Sequence, residues 1–149
     1  MAKQEKYAGF WLRLVAYFID YIILSGGLMI IGYILGILIG IFLSNRGMDE
    51  ITIMTISMLL GLFVGLISSW LYFTLLESSF KQATLGKMAM GIFVTDINGN
   101  RISFAKANVR YWSKFMSGFF IGFGFLMIAF TEKKQGLHDK LANCLVLKK

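Results

Sequence analysis

One arginine and one aspartate stand in an apolar run otherwise long enough to cross a membrane, and that placement limits what the chain can fold into. The segment Tyr7 to Gly27 carries Arg13 and Asp20, seven residues apart. On a helix, seven steps return a side chain to nearly the same face, about 10 Å further along the axis, so the two share a stripe without touching. Steps of three and four from them collect Gly9, Ala16 and Gly27. That stripe of small and ionisable residues should meet protein, while Leu14, Phe18, Tyr21 and Ile22 fall elsewhere and should meet lipid. Arg13 lies beside Tyr7, Phe10 and Trp11, where a guanidinium can snorkel to the headgroups and the rings mark the interface. Asp20 lies deeper. A carboxylate there costs about 2.5 to 3.5 kcal/mol on insertion scales and persists mainly where a partner or a water-filled cavity receives it.

The remainder is equally apolar: 57% of the 149 residues are hydrophobic and none is proline, unlike a soluble domain. A span takes about 20 apolar residues, so Leu14 to Leu43 and Ile51 to Leu76 each suffice, whereas Phe115 to Phe130 is short. The expected fold is an all-α integral membrane protein, one domain over residues 1–149. It has two long transmembrane helices near 10–43 and 51–76, a third short or re-entrant membrane segment at 115–130, a loop at 77–114 and a tail at 131–149. The lysines before the first run resemble a signal peptide, but the run carries Asp20 and continues without a small-residue cleavage site, so it reads as a retained span. Its length calls for tilt, a kink near Gly26 and Gly27, or projection beyond the bilayer. Gly32, Gly36 and Gly40, then Gly61 and Gly65, then Gly118 and Gly122 recur at four-residue spacing, which favours a tight bundle.

The net charge of +7 is distributed as topology. Of 15 Lys and Arg, only Arg46 lies in the connector Ser44 to Glu50, beside Asp49 and Glu50. The positive-inside bias places that connector outside and both termini in the cytoplasm. The basic excess suits anionic lipid rather than nucleic acid. Cys144 is the single cysteine, which excludes an internal disulfide and offers no metal spacing. It reads as an inert small side chain, and no cofactor or metal is expected.

Between Glu77 and Lys114, six basic residues stand against two acidic ones. Ile92 to Asp96 and Arg101 to Phe104 are β-rich pieces flanking Asn98-Gly99, a strong hairpin signal, so a small cytoplasmic β-hairpin is expected. From Ser103, a cap, FAKANVRYWSKF reads as an amphipathic helix with Lys106, Arg110 and Lys114 stacked along one side, a stripe suited to the headgroups. Three full crossings would put the basic tail outside. A re-entrant third segment is one resolution, with pairing of the β-like piece Cys144 to Lys148 with the hairpin holding the tail inside; three ordinary spans are the alternative.

Arg13, Asp20 and Asp139 within GLHDKLAN, together with TLGKMAMGIFVTD, the turn at Gly99 and FAKANVRYWSK, give a chain that resembles the RDD family of small bacterial membrane proteins. The family is named for one arginine and two aspartates. The resemblance covers nearly the whole chain and is most specific at Arg13 with Asp20, at Thr84-Leu85-Gly86-Lys87 followed by Gly91, and at His138-Asp139 followed by Leu141 and Ala142. It implies a multi-pass protein of the bacterial cytoplasmic membrane. Cation/proton exchange has been proposed for some members, and others look like accessory subunits of membrane complexes.

Two functions follow as expectations. In an exchanger of monovalent cations and protons, Asp20 would hold either ion, Asp139 would add a second carboxylate, and Arg13 or Arg110 would be a movable counter-ion. So small a chain would then work as a homo-oligomer. In an accessory or regulatory subunit, the Arg/Asp network would lock the tail and loop to the first helix, and the glycine faces would bind another membrane protein. Lys87 would pair with Glu77 or Asp139. Catalysis is not expected: His138 and Asp139 are helix neighbours that point to different faces with no nucleophile nearby, and His138 suits a helix terminus or the interface. Around Gly86-Lys87, Lys81 and Met88 occupy positions that a phosphate loop needs as Gly and Ser or Thr.

Overall fold

The computed structural model describes residues 6–119 and 123–149, with the side chains of Gly118, Phe119 and Phe123 left aside. The two apolar runs form α1 (Phe10–Ser44) and α2 (Glu50–Glu77). Asp49 caps α2, accepting the Thr52 N–H at 3.0 Å and the Thr52 hydroxyl at 2.6 Å, which satisfies donors that the first turn leaves open. The first helix continues through Gly26 and Gly27 without interruption. No residue in the most apolar 18-residue window of either helix is buried within the chain. A core helix of a soluble protein would be covered; these two are long and apolar enough to cross a membrane, with faces suited to lipid.

Two compact units divide the chain: Tyr21–Trp70, and Met1–Asp20 with Leu71–Lys149. Within the first, a Cβ built at Gly26, Gly27, Gly32, Gly36, Gly40, Gly61 or Gly65 would meet nothing within 4 Å. Among the described residues these glycine grooves are therefore unfilled, in place of the expected tight bundle. The Gly118–Gly122 pair reaches outside the described residues.

The second unit holds α3 (Leu85–Ala89), β1 (Ile92–Asp96), α4 (Phe104–Phe119), α5 (Phe123–Phe130), α6 (Leu137–Leu141) and β2 (Cys144–Lys148). The expected hairpin is corrected here. Its turn forms, with the Asp96 carboxylate accepting the Asn98 and Asn100 N–H groups at 2.9 and 2.8 Å and Gly99 at φ +87°, a conformation glycine adopts at little cost. The returning strand does not form. Ser103 caps α4 by accepting the Lys106 N–H at 3.3 Å, so the helix begins at Phe104 and leaves no length for a strand. Instead β1 pairs antiparallel with β2, Ile92 opposite Lys148 and Asp96 opposite Cys144. The segment before α1 joins the other edge of β2, with Ala8 N–H donating to Val146 O and Lys148 N–H to Lys6 O, both at 2.9 Å. A small core of Ala8, Ala16, Ile92, Val94, Ile102, Ala107, Ala142, Cys144 and Val146 lies among these elements.

α4 is amphipathic as expected, with the opposite orientation. Arg110, Ser113 and Ser117 are buried, while Val109, Trp112, Phe115 and Met116 are about half exposed. Lys106 reaches Asp96 at 3.9 Å and Lys114 reaches Glu77 at 3.7 Å, so the basic stripe faces acidic partners rather than headgroups. A helix with its polar face inward and aromatic face outward suits a bilayer or its interface better than water. It also runs past the expected boundary at Phe115. α5 has eight residues, about 12 Å of helix, and packs directly on α4: a Cβ at Gly124 would stand 2.7 Å from Ser117 Cα.

Candidate functional site

The ionisable residues of the sequence motifs converge in the unit that contains the sheet, in two adjoining clusters. Asp20, on α1, is buried and fully engaged. Its Oδ1 accepts the Tyr72 hydroxyl at 2.6 Å and the Gly86 N–H at 2.7 Å, and its Oδ2 accepts the Thr84 hydroxyl at 2.6 Å. Thr84 is also the N-cap of α3, where its oxygen accepts the Lys87 N–H. The motif Thr84-Leu85-Gly86-Lys87 is thus a short capped helix seated on Asp20. Gly86 is required by contact: a Cβ there would lie 2.1 Å from Ala16 O and 2.9 Å from Asp20 Cγ.

Asp139, on α6, lies in the other cluster. Arg13 donates to its Oδ2, Arg110 Nε donates to its Oδ1 at 2.9 Å, and the Gly136 N–H donates to Oδ2 at 3.1 Å. Arg13 further donates to Ala8 O at 2.9 Å and to Lys134 O, so it ties the N-terminal segment, α1 and the tail together. It therefore stays inside the protein and does not snorkel. Arg110 bridges onward to Glu77, at the end of α2, whose other oxygen is held by Lys87 and neighboured by Lys114. Lys114 lies over the Phe73 ring at 4.5 Å, a cation–π contact.

Four cations, Arg13, Lys87, Arg110 and Lys114, thus surround two carboxylates, Glu77 and Asp139. Burial alone would raise the Asp139 carboxyl, but Arg110 and Arg13 hold it well below the usual carboxylate range. Burial pushes the Lys87 ammonium down to about 7, against the pull of Glu77, with Arg110 and Lys114 adding repulsion. His138 lies at a helix terminus, in α6, and is buried. Its Nδ1 lies 3.3 Å from Ser117 Oγ, and burial lowers its imidazole to about 3 despite Asp139 nearby, so it is neutral near pH 7. The Cys144 thiol is pushed up to about 11, chiefly by burial, which fits an unreactive core side chain.

The residues named from the sequence lie in these two clusters, and of the two partners expected for Lys87 it takes Glu77. Neither Arg13 nor Arg110 pairs with Asp20; both grip Asp139. Sequence reasoning missed Tyr72 as a ligand of Asp20 and Lys114 as a neighbour of Glu77. Tyr72 carries no local signal, being one aromatic residue in an apolar helix. The four-residue spacing from Arg110 marked Lys114, on a face taken to be outward. Among the described residues, Thr95 Oγ1 is the only buried side-chain nitrogen or oxygen without a hydrogen-bond partner, so the clusters are closed. No group of three or more His, Cys, Asp or Glu side chains is arranged to hold a metal among those residues.

Residues 7–143 match the RDD family. "Uncharacterized protein YxaI" of Bacillus subtilis is 40% identical over 97% of this chain and 99% of its own length. "Uncharacterized membrane protein YteJ" of the same organism is 26% identical over 95% of this chain and 80% of its own. No solved structure matches.

Proposed function

The chain belongs to the RDD family, and from that premise we propose that it is a non-catalytic accessory or regulatory subunit of the bacterial cell membrane that associates with another membrane protein or with its own copies. In this reading the named arginine and aspartates build the protein rather than carry ions. The closed bonding of Asp20 and Asp139 carries it: each carboxylate is fully supplied with donors from this chain. An ion could enter only by displacing them, and removing one charged partner from a buried ion pair such as that of Asp139 with Arg110 costs about 3 to 5 kcal/mol. The unfilled glycine grooves at Gly36, Gly40, Gly61 and Gly65 supply surfaces where another helix can approach closely.

In the same reading the topology has both ends on the cytoplasmic side. What supports it is the sheet shared by the N-terminal segment and the tail, together with the charge bias. α4 and α5 then form a third, re-entrant segment, with the aromatic face of α4 toward lipid. Cation/proton exchange at Asp20, with Arg13 and Asp139, is the second reading. What favours it is a buried ammonium beside the cluster: burial, with repulsion from Arg110 and Lys114 and against the pull of Glu77, leaves the Lys87 proton weakly held near neutral pH.

Association is tested by filling the grooves. In mild-detergent extracts of native membranes the wild-type chain, after the mass of bound detergent is subtracted, should exceed its 16.8 kDa, and Gly36→Leu with Gly61→Leu should collapse it to the monomer without lowering its melting temperature. A wild-type monomer, or association untouched by the substitutions, would overturn the proposal.

A further inference from the structure

Three residues beyond the end of α2, Phe80 is 92% exposed in a turn that is otherwise firmly built. Ser79 Oγ donates to Leu76 O at 2.7 Å and accepts the Lys81 N–H at 3.2 Å. Gln82 sits at φ +53°, held by its side-chain amide donating to Val94 O at 2.8 Å and by its carbonyl accepting the Val94 N–H at 2.7 Å. Phe80 and Lys81 are thus presented outward by a fixed backbone. Beside them opens a recess of about 550 Å³ lined by Phe80, Lys81, Gln82, Met88, Phe93 and Lys149. The Arg101 guanidinium lies 4.9 Å from the centre of the Phe80 ring. Its lining combines the apolar side chains of Phe80, Met88 and Phe93 with the cations Lys81 and Lys149, and among the described residues no Asp or Glu lines it.

We propose that this recess binds the headgroup of an anionic phospholipid, with Lys81 and Arg101 serving the phosphate and Phe80 entering the glycerol and upper acyl layer. Two observations choose this occupant. The recess lies three residues past the end of a helix long and apolar enough to cross a membrane, and the chain leaving such a span meets the headgroup layer first. Lys81 in the lining and Arg101 beside the exposed Phe80 ring give the pairing of basic groups with an aromatic ring that anchors proteins at anionic interfaces. The basic stripe of α4, the other candidate for lipid contact, is occupied by Glu77, Asp139 and Asp96. The proposal is independent of the association reading above.

The test is the melting temperature of the full chain in detergent, titrated with phosphatidylglycerol or with phosphatidylcholine. Wild type should be stabilised saturably by phosphatidylglycerol and not by phosphatidylcholine. Lys81→Gln with Arg101→Gln, both exposed, should melt like wild type without lipid and need about ten-fold or more phosphatidylglycerol for the half-maximal shift. Lys133→Gln, an exposed tail residue, should respond like wild type. Phe80→Ser should lose part of the shift with both basic residues intact. An unchanged response in the double variant, equal stabilisation by phosphatidylcholine, or full stabilisation by soluble glycerol phosphate would overturn the assignment.

Discussion

Lys87 is a cation buried between Glu77 and two further cations, Arg110 and Lys114, and its proton is the weakly held charge of the network. Its folded-state value, about 7, lies below the ordinary lysine value of 10.5. Between those values the unfolded chain binds the proton that the folded chain has released, so the contribution of Lys87 to stability rises with pH across that window. Below about 7 both states are protonated and its burial penalty is full. Melting temperature measured from pH 6.5 to 9.5 should therefore climb less in Lys87→Met than in wild type; an identical slope would refute the assignment. At this scale the sequence was largely legible. A carboxylate in an apolar run needs a partner, which marked Asp20, and Lys87 was expected on a carboxylate. The partners of Asp20 were not legible, because Tyr72 and the Gly86 N–H are made ligands by packing between elements distant in sequence.

α3, an element of five residues, carries much of the load between elements. Alone it has no stability; it exists because Thr84 caps it and Asp20 grips its first turn. Gly86→Ala should force α3 off α1, since the added carbon would stand 2.1 Å from Ala16 O. A loss of about 1 to 3 kcal/mol, the usual cost of overpacking, should appear as a lowered melting temperature in detergent; an unchanged one would mean that α3 does not dock as described. The two long helices and the start of α4 at Ser103 were readable from apolar length and capping. The strand pairing was not. Asn98-Gly99 specifies a tight turn but leaves the next element undetermined, and Ser103 starts a helix before a strand can return. The face of α4 was misjudged for a related reason: a basic stripe faces outward in water, but here Glu77 and Asp139 draw it inward and leave Trp112, Phe115 and Met116 outside.

At the level of the whole molecule, the unit holding the sheet gathers the two ends of the chain through the Tyr7–Leu147 bridge and the Arg13–Asp139 pair, and the other unit is nearly bare apolar helix. Under the proposed accessory role, this division leaves the charged residues to architecture and the helices to lipid and to a partner. The sequence announced the membrane class through its apolar lengths; it left open whether Asp20 builds or carries, because both uses begin from the same buried carboxylate. Cation-driven proton movement in proteoliposomes, measured for wild type and Asp20→Asn beside their melting temperatures, decides between them. The architectural account predicts no flux above empty liposomes for folded wild type, and for Asp20→Asn a loss of about 1 to 3 kcal/mol, since an amide cannot accept all three donors. Flux that disappears in an Asp20→Asn protein as stable as wild type would contradict it.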